Sequence, residues 1–196
     1  GAEIDKNRAN ANKLMGRFLY GLKKKAEYAL ISLTGGQKDN AITRECTAEF
    51  LTDSVAEVKA YAKELQEQLR EEYTGSDENI TFEITEKGTA TAEVLHPTSQ
   101  EKIVFYLQNV PFGIQKMSGT IKGLVETSSN IGILRLDRDE LFASSSVRSS
   151  VDAACSALSD KIEYLTEFLG GDYEVQGAYP AWEYRKESPL RDKMVA

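Results

Sequence analysis

Two long helical stripes, each preceded by a pair of β-prone runs, constrain the fold of this chain more than any other feature. Val55, Val58, Ala62, Leu65 and Leu69 fall on one face of a helix, and Val151, Cys155, Leu158, Ile162, Leu165 and Leu169 repeat that spacing later in the chain. Residues 27–34 and 44–52 are the first β-prone pair, joined by the turn-rich Gly35-Gly36-Gln37-Lys38-Asp39-Asn40. Residues 124–134 and 140–149 are the second pair, linked through Asp137-Arg138-Asp139. Ahead of the first pair, residues 8–25 carry Ala11, Leu14, Met15, Phe18 and Leu22 at helical spacing. Ser54 with Glu57 predicts a capping box, and Gly170-Gly171 predicts the stop of the last helix. Between the halves, Ile80, Phe82 and Ile84 alternate as a strand, Lys87-Gly88 reads as a turn, and Ala90, Ala92 and Val94 alternate again. Thr98 and Glu101 open a shorter helix through Leu107, and Tyr173 with Val175 reads as a closing strand.

This order predicts an α+β fold of two duplicated ferredoxin-like (βαββαβ) units with antiparallel sheets, the first lacking its opening strand. The expected divisions are residues 1–88 and 89–178 as two subdomains and 179–196 as a connector. After Gly177 the chain loses its period and gains Pro180 and Pro189, and residues 190–196 read as the first turns of another helix. The start at Gly1 rather than Met, already running into a helical pattern, is expected of a piece with cut ends.

Charge excludes one broad class of function. With 31 acidic against 24 basic residues the net charge is -7, and no basic stripe offers a nucleic-acid footprint. Lys23-Lys24-Lys25 ends a predicted helix, where cations complement the macrodipole. No apolar run approaches the ~20 residues that cross a bilayer, so no membrane partner is expected. Cys46, Cys155 and His96 stand too far apart in sequence for a zinc site, which needs about four closely spaced ligands. The two cysteines read instead as covered thiols of a reducing, cytoplasmic environment, and His96-Pro97 as the step from a strand into a helix.

Several stretches, in collinear order, resemble the aminoacyl-histidine dipeptidases, a branch of the di-zinc exopeptidases. Gly1-Ala2-Glu3-Ile4-Asp5 with Asn10-Ala11-Asn12-Lys13-Leu14 is similar to the segment that follows that family's Gly-Gly-His-Ser-Gly motif. Gly35-Gly36 with Asn40-Ala41-Ile42-Thr43-Arg44-Glu45 resembles its Gly-Gly…Asn-Ala-Ile-Pro-Arg-Glu motif. Gly123-Leu124-Val125-Glu126-Thr127-Ser128-Ser129-Asn130, Val147-Arg148-Ser149 and Tyr179-Pro180-Ala181-Trp182 follow in the family's order.

The resemblance implies the lid and dimerisation domain of a zinc-dependent peptide hydrolase acting on Xaa-His dipeptides. It implies a separate catalytic domain, before Gly1 and after Ala196, holding two zinc ions and a Glu general base. On that reading this piece alone is inactive, and its partners are a dipeptide, its own catalytic domain and a second copy in a homodimer. The substrate-binding residues implied are Asn40, which reaches the scissile region, and Arg148, which grips the C-terminal carboxylate. Asn130, at the position of the second half that corresponds to Asn40, is the third candidate, with a structural relic of the duplication as its alternative. Thr43 stands where the family has proline, a change expected to loosen the turn around Asn40. Set against this is a stand-alone regulatory module of paired ferredoxin-like units binding a small metabolite, which has the same fold but complete ends.

Overall fold

In the computed structural model, residues 3–138, 140–180 and Lys193 are described. Among them the elements run α1 (Ala11–Leu22), β1 (Ala29–Gly35), β2 (Cys46–Leu51), α2 (Val55–Glu72), α3 (Pro97–Asn109), β3 (Gly113–Met117), β4 (Val125–Asp137), β5 (Glu140–Ser149) and α4 (Asp152–Phe168). Hairpin β1–β2 followed by α2 and hairpin β4–β5 followed by α4 repeat the same order, as the ferredoxin-like reading requires.

One five-stranded antiparallel sheet joins the halves. The 13-residue β4 is its centre. Along one edge β4 pairs with β5 over most of its length. Along the other it pairs with β3 through Val125–Ser129 and with β1 through Leu134–Leu136. That double pairing buries β4 almost end to end, so its sequence VETSSNIGILRLD alternates less cleanly than a one-sided strand would.

A single core forms between the sheet and three helices. Phe18, Leu19 and Leu22 of α1, Val58, Ala62, Leu65 and Leu69 of α2, and Val104 and Leu107 of α3 meet Leu30, Leu33, Ile131 and Leu134. Each such Val, Leu, Ile or Phe side chain contributes about 1.5–3 kcal/mol by leaving water. The stripe on α2 is the one the spacing predicts, down to Val58, Ala62, Leu65 and Leu69 as its buried set. On α4 only Leu158 and Ile162 are fully buried, while Leu165 and Leu169 pack at the margin of the core.

Several local expectations do not hold. Ile80, Phe82 and Ile84 do alternate in burial and pack on the core, but they form no strand. The backbone there is satisfied by α2 side chains instead: Gln66 Oε1 accepts from Phe82 N at 2.9 Å, and Arg70 Nε donates to Ile80 O at 2.9 Å. Residues 90–94 and 173–175 are likewise outside any ladder, although Leu95 N donates to Leu30 O on β1. Conversely β3 is a strand that period-2 reading misses, because four of its five residues are exposed and its apolar positions do not alternate. Ser54 sits at the N-cap of α2 with no side-chain capping bond, so the capping box is not formed. His96 does cap α3, with Nδ1 accepting from Thr98 N at 3.2 Å. Ala181, Trp182 and the helix expected over 190–196, apart from Lys193, lie outside the described residues, as do Gly1, Ala2 and Asp139.

Cys46, on the first residue of β2, has its thiol pushed up to about 12 by burial. At pH 8 the reactive thiolate is then on the order of one part in ten thousand. Iodoacetamide is therefore expected to label Cys46 in the folded chain orders of magnitude more slowly than in urea, read by peptide mass spectrometry. Equal rates in the two states would contradict the burial.

Candidate functional site

The Gly35–Glu45 turn leaves β1 and settles against the middle of β4. Two close backbone approaches make this possible. A Cβ on Gly132 would stand 2.3 Å from Asp39 O and 2.4 Å from Lys38 O, and one on Gly36 would stand 1.8 Å from Gly132 O. Gly36 also has φ +74, a left-handed conformation that glycine adopts without strain. Gly132 lies where the β4–β5 register shifts between Ile131 and Ile133, so a bulge presents its carbonyl to the turn.

A buried polar cluster ties the turn down. Asn10 caps α1 through Oδ1, which accepts from Asn12 N at 2.9 Å and Lys13 N at 3.2 Å. Its Nδ2 donates to Asn130 Oδ1 at 3.1 Å and to Ile131 O at 2.9 Å. Asn130 Nδ2 in turn donates to Asp39 O at 3.1 Å and Ala41 O at 2.8 Å. Thr43 Oγ1 donates to Gly132 O at 2.9 Å and accepts from Asn12 Nδ2 at 3.2 Å, while Ala11 N donates to Thr43 O. All four side chains are at most 3% exposed. The Thr43 hydroxyl thus pins the turn to β4, the opposite of the loosening expected from the loss of proline.

The three sequence candidates fall into two kinds. Asn40 is exposed at the tip of the turn, and its side-chain amide has no hydrogen bond to any described residue; only its backbone N–H is engaged, by Asp39 Oδ1 at 2.7 Å. Arg148 is exposed near the end of β5, and its side chain has no hydrogen bond or ion pair with any described residue. Asn130 differs, being 2% exposed with both ends of its amide engaged inside the protein.

Strand register places these residues together. Asn130 is opposite Ser146 and Ser128 is opposite Arg148. Opposed residues share a face and alternate residues return to it, so Asn130, Ser128, Ser146 and Arg148 all lie on one side of the β4–β5 sheet. Arg148 is two positions along the strand from the residue opposite Asn130, about 6–7 Å. Because Asn130 binds the carbonyls on either side of Asn40, the Asn40 turn covers that same face. The exposed Asn40 amide and the exposed Arg148 guanidinium therefore belong to one face, on which the small residues Ser128 and Ser146 also lie.

Lys13 adds rigidity from below. Its ammonium donates to Val110 O at 2.9 Å and Gln108 O at 3.2 Å, closing the C-terminal end of α3, and burial pushes it down to about 8. Sequence reading found Asn40, Arg148 and Asn130 but not Asn10, Asn12, Thr43 or Gly132 as parts of the same assembly. The available signal for Asn10 was its position directly before the apolar period of α1, which is where a cap belongs.

Among the described residues no three His, Cys, Asp or Glu side chains come together as a metal cage.

Residues 2–77 match the family described as the peptidase dimerisation domain. Over 192 residues, 97% of this chain, the sequence is 30% identical to the cytosol non-specific dipeptidase of Escherichia coli and covers 39% of it. The crystal structure of aminoacylhistidine dipeptidase from Vibrio alginolyticus matches with a TM-score of 0.84 at 28% identity, over 97% of this chain and 39% of that one. The chain spans about two fifths of the length of these relatives.

Proposed function

We propose, starting from a chain that carries a peptidase dimerisation domain of the dipeptidase family over residues 2–77, that it is the lid of a metal-dependent dipeptidase cleaving Xaa-His substrates. The observation that carries this reading is the pairing of Asn40 and Arg148 on one sheet face, both exposed and neither spent on an internal side-chain partner. Arg148 holds the C-terminal carboxylate by two parallel bonds, which selects short substrates with a free C-terminus. Asn40 donates its amide to the scissile carbonyl region, where a neutral donor serves at any pH. Bond cleavage would fall to a separate catalytic domain, where two zinc ions would supply the activation of water. The lid closes over it and excludes solvent.

In this reading residues 1–88 and 89–178 are two subdomains of the lid, and 179–196 return the chain to the catalytic domain. A homodimer is its natural assembly: β2 ends the strand order and, among the described residues, pairs only with β1, leaving a ladder edge for a second copy. No helix among the described residues is long and apolar enough to cross a membrane. A cytoplasmic location accords with that and with the cytosol dipeptidase relative.

The test compares two proteins. The full-length product is expected to hydrolyse an Xaa-His dipeptide, to lose activity on chelation and to regain it with added zinc. The 196-residue chain, stripped of metal and then given zinc, is expected to show neither turnover nor stoichiometric tight zinc binding. Turnover by the chain alone, or a full-length protein inert toward dipeptides, overturns the proposal.

A further inference from the structure

Asn130 is placed among the residues of the site yet has almost no surface to offer a substrate. It is 2% exposed, and its amide makes three hydrogen bonds inside the protein. Two of them go to the carbonyls of Asp39 and Ala41, the residues immediately before and after Asn40. The third, from Asn10 Nδ2, ties it to the cap of α1. A substrate contact would require breaking at least one of these bonds in a buried setting, at about 1–3 kcal/mol for each polar group left unsatisfied.

We propose that Asn130 is a positioning residue for Asn40: its buried amide clamps the carbonyls of the residues before and after Asn40 and thereby aims the Asn40 side chain over the face that carries Arg148. The geometry has three supports. The clamp is bidentate and takes one carbonyl before Asn40 and one after it, so it restrains the turn on either side of that residue. Asn130 cannot turn away, because Asn10 fixes its oxygen and Asn10 is itself held by Ile131 O and by the first N–H groups of α1. Thr43 provides a second fastening on the far side of the turn, through Gly132 O and Asn12. The turn is thus held before and after Asn40, while the Asn40 side chain itself stays free and exposed. A site that acts by orientation gains from such pre-ordering, since small displacements of a positioned group lower rates strongly.

This inference rests on the reading of Asn40 as a substrate contact, and its test separates the two. Asn130→Asp keeps the size and the acceptor for Asn10 but removes both donors. Amide hydrogen exchange in the intact chain is expected to speed up over residues 38–43 by roughly 10- to 100-fold, the equivalent of two lost bonds, with α2 unchanged. In the full-length enzyme the same variant is expected to lower kcat with little change in KM, because substrate is still gripped by Arg148. Thr43→Val, which removes only a hydroxyl, is expected to give a smaller acceleration in the same segment and serves if Asn130→Asp does not fold. Unchanged exchange over 38–43 in the folded variants overturns the proposal, as does a rise in KM with kcat and exchange unchanged, the mark of a direct contact. If the turn loosens as expected but Asn40→Ala leaves kcat/KM intact, the clamp stands and it is the substrate role of Asn40 that falls.

Discussion

If the proposed function holds, Arg148→Lys in the full-length protein is expected to lower kcat/KM for an Xaa-His dipeptide on the order of 10- to 150-fold with fold and metal content unchanged. Lysine preserves the charge but replaces a planar fork with a point donor, so one of two charge-assisted bonds to the carboxylate is lost, about 1.5–3 kcal/mol. Stability should barely change, because Arg148 is exposed and has no hydrogen bond or ion pair with a described residue that its removal would break. The same dipeptide as its C-terminal amide lacks the carboxylate. It is expected to be a poor substrate of the unmodified enzyme and to lose little more in the variant. That coupling between one side chain and one substrate group separates a carboxylate grip from a general structural role. A variant that weakens both substrates alike, or that melts early, would remove Arg148 from the site.

Gly132→Ala is expected to damage function strongly for a change of one carbon. The added Cβ would fall 2.3 Å from Asp39 O and 2.4 Å from Lys38 O, and both are backbone atoms that cannot swing aside as a flexible side chain would. Either β4 or the turn has to move. The turn is the weaker partner, since β4 is laddered to β5 along one edge and to β3 and β1 on either side of residues 130–133 along the other. Overpacking of this kind costs about 1–3 kcal/mol, which for a domain of this size lowers Tm by roughly 2–12 °C. The functional loss should exceed the stability loss. Displacing Asn40 by about 1 Å is enough for on the order of 100-fold in kcat. Gly119→Ala is the control: a Cβ there meets nothing within 4 Å, and no change in Tm or kcat is expected. Equal behaviour of the two variants would mean that the turn does not rest on β4 as described.

Much of this was legible in the sequence where a periodic pattern met a single physical cause. The α2 stripe Val58, Ala62, Leu65 and Leu69 is buried as its spacing requires, because a helix shows one face to one core. The β5 boundaries agree with the β-prone run, and the exposure of Arg148 accords with its place near a strand end. The segment 80–84 shows where pattern stops being sufficient. Its alternation is real and its apolar side chains do reach the core, but alternation says nothing about which groups bond the backbone, and Gln66 and Arg70 of α2 took that part. Thr43 shows the same gap in a different form: in sequence it is only a missing proline, whereas in space its hydroxyl lies beside Gly132 O and Asn12.

By itself the sequence determined the order of helices and hairpins, the duplicated plan, the acidic character and the candidate side chains Asn40, Arg148 and Asn130, because these depend on local period, charge and motif. Only the tertiary structure decided that Asn40 and Arg148 share a face and that Asn130 is spent on holding the turn between them. Those facts depend on strand register and on contacts between residues as distant as Asn10 and Asn130. A shift of one residue in β4–β5 pairing would send Arg148 to the opposite face with every apolar position unchanged in sequence. The register is set by the packed core and the Gly132 bulge together, and neither can be read from a window of neighbouring residues.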